Sequence, residues 1–161
     1  MTMRLSAVIR TPDGLLLALR RPMPDGGRRH LLPGRGIGES DEPFDDTLRH
    51  ILHRQLNAEV TIGALIHIAR TGAEDEHVFV AHTGEHDTLP DFGAPAPGGC
   101  FWDGIEVTPD AIHDAAFSPK EIGSLFAGNL RHGRPPWALP DIRSRPPSRR
   151  RHGRGRPGRG R

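Results

Sequence analysis

Carboxylates, imidazoles, glycines and arginines crowd into residues 28–53, and their types suggest two kinds of chemistry. Glu39, Glu42 and Asp46 are oxygen donors of the kind that hard Mg²⁺ or Mn²⁺ ions take. Asp46, His50 and His53 recur at i, i+4 and i+7, a spacing open to a transition metal and equally to a solvated polar helix face. Gly34, Gly36 and Gly38 alternate around Arg35, with Arg28 and Arg29 just upstream. Backbone N–H groups beside a helix N-terminus attract phosphate, and arginines add charge-assisted hydrogen bonds to it. The plainer alternative is a glycine turn flanked by surface arginines.

These groups need a scaffold, and the hydrophobic pattern supplies one. Phe44, Leu48, Ile51, Leu52 and Leu56 form the apolar stripe of an amphipathic helix over 43–57. Ser40 or Asp41 is the expected cap, Glu42, Asp45 and Asp46 suit the positive end, and Asn57 is the stop. RLSAVIRTPDGLLLALR, residues 4–20, predicts two strands in a hairpin around Thr11-Pro12-Asp13-Gly14. His30-Leu31-Leu32 is a short strand between two glycine- and proline-rich loops. TIGALIHIA and HVFVAH predict a second hairpin, with Glu74, Asp75 and Glu76 at its exposed tip, and CFWDGIEV is a further strand. Ser118-Pro119-Lys120-Glu121 matches a capping box opening a second helix.

Composition bounds the rest. A chain of 161 residues suits one domain. Its single cysteine, Cys100, excludes an internal disulfide and a cysteine-built zinc site. No apolar run is long enough to span a bilayer and the start lacks a secretory pattern, so a cytoplasmic protein with no membrane partner is expected. The formal charge of +2 hides an asymmetry, because nine arginines fall between 143 and 161 with no acid among them. Without those nine, 13 basic residues face 20 acidic ones. The text RPPSRRRHGRGRPGRGR offers nothing to bury, so residues 143–161 are expected to be a disordered Arg/Gly/Pro-rich tail with a nonspecific, salt-sensitive attraction to nucleic acid.

The run Leu32-Pro33-Gly34-Arg35-Gly36-Ile37-Gly38-Glu39-Ser40, leading into Leu48-Arg49-His50-Ile51-Leu52-His53-Arg54-Gln55-Leu56-Asn57, resembles the Nudix hydrolase family over roughly residues 4–127. The resemblance implies an α/β (α+β) domain at 1–142, a mixed β-sheet sandwiched between helices. It also implies a nucleotide-like substrate with a diphosphate bridged by Mg²⁺ or Mn²⁺ on helix glutamates. Aligned from Gly36, the family's Arg-Glu pair falls on His50 and Ile51, its Glu-Glu pair on Arg54 and Gln55, and its glycine on Asn57. A second register, from Gly38-Glu39-Ser40, makes Glu39 the loop carboxylate in place of Glu42. Neither restores a glutamate, because residues 44–57 contain none.

The expected function is therefore a nucleotide-binding or regulatory relative with weak or no hydrolysis, its ligand held by Gly34, Arg35, Gly36, Arg28 and Arg29. The alternative is an active Mg²⁺-dependent hydrolase in which Glu39 and Glu42 act catalytically and, with Asp46, hold the metal, helped by an acid such as Glu74, Asp75, Glu76 or Asp103. A further alternative is an interaction module that grips nucleic acid through the tail.

Overall fold

A computed structural model of the chain describes residues 2–39, 42–72 and 74–144. The first strand, β1 (Thr2–Ile9), runs into the expected turn, where Gly14 takes φ +82° and the Thr11 hydroxyl accepts from the Leu15 N–H at 3.0 Å. The hairpin expected here opens at once: one bridge joins Arg10 to Leu16, and then β2 (Leu16–Pro22) leaves for a different sheet. Both runs are buried on both faces, so each is paired along its length by other strands.

One sheet has the order β4-β1-β6-β5, with β4 (Gly34–Ile37), β5 (Val60–Arg70) and β6 (Glu74–Thr83). β1 is antiparallel to β4 and parallel to β6, and the predicted β5–β6 pair is antiparallel. The other sheet has the order β3-β2-β8-β7, with β3 (Arg28–Leu31), β7 (Pro95–Ala96) and β8 (Cys100–Ile105), all antiparallel.

Alternating side chains divide the apolar residues between two cores. Leu5, Ala7 and Ile9 of β1 and Leu17 and Leu19 of β2 pack with Leu48, Leu52 and Leu56 of α1 (Phe44–Leu56). Val8, Leu16 and Ala18 face the other way, toward Ile112 of α2 (Pro109–Asp114) and Ile122 and Phe126 of α3 (Lys120–Leu130). The result is the expected mixed β structure between helices, built as two sheets.

Local details differ from expectation where partners are distant in sequence. Pro43 is the N-cap of α1 with no side-chain cap, and Ser40 and Asp41 lie outside the described residues. Asn57 ends the helix in the left-handed region at φ 51°. Gly34–Ile37, read as loop, is strand β4, and Glu74, Asp75 and Glu76 lie within β6 rather than at an exposed tip. The capping box at Ser118 does not form: Pro119 caps α3 without a side-chain bond, while the Ser118 N–H donates to the His30 carbonyl at 2.9 Å. Thr108 and Pro109 open α2, a helix the pattern did not suggest.

Residues 145–161 lie outside the described ones, so most of the expected tail does too. Arg143 and Ser144 close a short turn, Ile142–Ser144, with the Arg143 guanidinium 5.5 Å from the Phe79 ring centroid and 3.3 Å from Asp45. Among the described residues, no helix is long and apolar enough to cross a membrane.

Candidate functional site

The apolar stripe of α1 orients its last turns. Leu52 and Leu56 enter the core, which leaves Ile51, Arg54 and Gln55 beside the start of β4. The Gln55 side-chain amide donates to the Gly34 carbonyl at 2.9 Å and ties helix to strand. Gly34 itself is demanded by a close approach: a Cβ there would lie 2.0 Å from the Leu5 carbonyl oxygen, at φ +143°.

Next to this tie lies a cleft of about 340 Å³. Arg35 of β4, Arg54 of α1 and Arg21 of β2 line it, and Arg4 contributes from β1. Leu19, Leu31 and Cys100 supply apolar wall, and Pro97 and Gly98 close one side. No carboxylate lines it among the described residues. The Arg4 guanidinium is engaged elsewhere, with Glu76 at 3.2 Å and the Leu32 carbonyl at 2.8 Å. The guanidinium groups of Arg21, Arg35 and Arg54 have no partner among the described residues. Arg21 was not singled out from sequence, because its place at the cleft depends on the pairing of β2 with β3.

The other expected residues disperse. Gly36 pairs with Arg4 across β1 and β4 and does not line the cleft. Arg28 lies opposite Pro22, and Arg29 lines a separate cleft against α2 and α3. Glu39 is exposed. Glu42 sits 3.4 Å from His50, Asp46 lies 3.5 Å from Arg49, and Asp45 pairs with Arg143. His53 approaches the Ala58 carbonyl at 3.0 Å. Beside the same short turn, Asp141 is held at a pKa of about 2 by hydrogen bonds from Arg143.

The divalent metal associated with Nudix chemistry does not fit these side chains. Mg²⁺ requires a shell of oxygen ligands, usually including carboxylates. At the helix positions to which the resemblance would assign ligands stand Ile51, which is 3% exposed and has no donor atom, Arg54, and Gln55, whose buried Oε1 is neutral and lacks a hydrogen-bond partner among the described residues. A cation about 4 Å from a guanidinium is repelled by roughly 4 kcal/mol per unit charge at a surface-like dielectric. Among the described residues, no group of three His, Cys, Asp or Glu side chains could hold a metal ion. The cleft also flanks the C-terminal half of α1, where the helix dipole does not favour an anion. Attraction for an anion must therefore come from the arginines.

One polar constellation had no sequence signal. His30 is 5% exposed, with Nδ1 2.6 Å from the Ala115 carbonyl oxygen and Nε2 2.8 Å from Asp103 Oδ2. It ties β3 and β8 to the end of α2, on the helical side opposite α1.

No family model and no curated protein matches the chain. Solved structures do. The E. coli ORF135 protein is 25% identical, with 84% of this chain and 94% of that one covered at a TM-score of 0.54. A Nudix hydrolase from Nitrosomonas europaea is 16% identical, covering 83% and 74% at a TM-score of 0.57. The MutT protein from Methanosarcina mazei Go1 is 15% identical, covering 81% and 94% at 0.54. The chain has the Nudix fold and resembles the Nudix hydrolase family.

Proposed function

We propose that this protein binds a nucleoside-diphosphate-like anion in the cleft beside α1 and hydrolyses it weakly or not at all. The observation that carries the reading is the wall of Arg21, Arg35 and Arg54 with no carboxylate beside it. Guanidinium forks match the geometry of phosphate oxygens, and Leu19, Leu31 and Cys100 offer apolar surface to a base or sugar. In metal-dependent hydrolysis, Mg²⁺ polarises the phosphoryl oxygen and activates water. No carboxylate is among the residues lining this cleft, and Glu76, 3.2 Å from Arg4, is already engaged by Arg4 and the Ser6 hydroxyl, which supports weak or absent hydrolysis.

The test uses the full chain with ADP, a nucleotide-sugar and a dinucleoside diphosphate, following both binding and cleavage in Mg²⁺ or Mn²⁺. Saturable binding without turnover above a Glu39→Gln/Glu42→Gln control is expected. Turnover that disappears in that double variant would overturn the reading in favour of displaced metal ligands.

A further inference from the structure

We infer that Arg21, Arg35 and Arg54 stand in for a divalent cation, so that a diphosphate is bound in this cleft without metal, and bound more weakly when Mg²⁺ is added. This inference rests on the anion-binding reading above and specifies how the charge of the ligand is met.

Three separate elements bring these side chains together. Arg35 follows Gly34 on β4, and Arg54 precedes Gln55 on α1, so the Gln55–Gly34 hydrogen bond at 2.9 Å places the two arginines beside one crossing. Arg21 lies two residues beyond Leu19 on β2, which itself lines the cleft, and residues i and i+2 of a strand share a face. Three arginines are matched by acids, Arg4 with Glu76, Arg49 with Asp46, and Arg143 with Asp141 and Asp45, and none of these acids lines the cleft. Up to Ile142 the chain has 13 basic against 20 acidic residues. Three guanidinium groups without partners among the described residues, in one cleft of an otherwise acidic body, form a local reversal of charge.

The consequence for metal follows from competition. Mg²⁺ in solution binds the phosphate oxygens and lowers the charge the arginines recognise. A carboxylate site would recapture that complex by coordinating the ion, whereas this cleft presents no carboxylate. Like charge then disfavours the metal complex relative to the free diphosphate. Arg54 lines the cleft from α1, so the positive charge there is covalently part of the protein.

The decisive experiment is isothermal titration calorimetry of the full chain with inorganic pyrophosphate and with ADP, at fixed ionic strength, in EDTA and then in excess MgCl₂. Both probes should bind in EDTA, and Mg²⁺ should weaken them severalfold. Arg54→Gln and Arg35→Gln should each reduce affinity about tenfold, as expected for loss of a charge-assisted contact. Both positions are exposed, and matching melting temperatures would establish that the variants fold. Binding that requires Mg²⁺ would overturn this inference while leaving the nucleotide-binding reading intact. Binding unchanged in an Arg21→Gln/Arg35→Gln/Arg54→Gln variant, which retains every arginine of the C-terminal stretch, would overturn the cleft as the site. Pyrophosphate binding without ADP binding would support the arginine mechanism and sink the nucleoside reading. No binding of either probe in either buffer would defeat both.

Discussion

Gln55 donates its side-chain amide to the Gly34 carbonyl at 2.9 Å, and this bond joins the end of α1 to the first residue of β4. The bond requires a donor, which the glutamine amide supplies. A glutamate in the same place would present two acceptors to a carbonyl that only accepts. Gln55→Glu should therefore destabilise the fold by about 1–3 kcal/mol at neutral pH, the cost of an opposed and unsatisfied pair. Gln55→Met, which keeps the volume and loses only the bond, should cost less. Urea unfolding of the three proteins checks the order, and a Gln55→Glu variant as stable as the parent would show that the bond carries no weight.

Gly34 makes the complementary prediction. An alanine Cβ would meet the Leu5 carbonyl oxygen at 2.0 Å and the Ser6 Cα at 2.8 Å, all backbone on a buried central strand, so no side chain can swing aside. The φ of +143° adds strain. Gly34→Ala should cost at least about 3–4 kcal/mol, among the larger effects of a single substitution. Gly38→Ala, whose Cβ would meet nothing within 4 Å, should change little. The melting temperatures of the pair check it.

That contrast explains what the sequence made legible. Helix α1 was readable because its signal is local: Leu48, Ile51, Leu52 and Leu56 repeat with the helical period, and Asn57 tolerates the left-handed stop. β5 and β6 were readable for the same reason, as β-branched runs joined by a short turn. β4 was not, because Gly34-Arg35-Gly36 has no strand propensity and is extended only through pairing with β1. Arg21 was invisible as a site residue because its neighbours in space, Arg35 and Arg54, stand 14 and 33 positions away. The absence of glutamate from residues 44–57, by contrast, needed no structure to see.

The His30–Asp103 pair has an internal requirement that substitutions can test. The Ala115 carbonyl accepts from Nδ1, so the contact between Nε2 and Asp103 Oδ2 at 2.8 Å must contain a proton from one side or the other. Asp103→Asn can preserve this contact, its amide donating to a neutral Nε2, and should lose less than about 1 kcal/mol. Asp103→Leu leaves a buried ring nitrogen unsatisfied and should lose about 1–3 kcal/mol. Denaturant titration at neutral pH separates the two variants. Equal losses would mean that packing, and not the shared proton, holds β3 and β8 to the end of α2.

Glu76 sets a pH dependence whose sign runs opposite to that of an exposed ion pair. It is 4% exposed, with Arg4 Nε 3.2 Å from one carboxylate oxygen and the Ser6 hydroxyl donating to the other at 3.0 Å. Burial raises its pKa above the ordinary 4.5, and this outweighs the opposing effects of Arg4 and Ser6. Between the ordinary value and the raised one the folded state holds more protons than the unfolded chain, so stability falls as pH rises through that interval. Glu76→Gln keeps an acceptor for Ser6 and removes the titration. It also deprives Arg4 of its counter-charge, but arginine stays protonated throughout, so that loss is a constant offset. The melting temperature of the variant minus that of the parent should therefore climb from pH 4.5 upward and level off above the raised pKa. Parallel profiles across that range would mean that Arg4 and Ser6 compensate fully for the burial of this carboxylate.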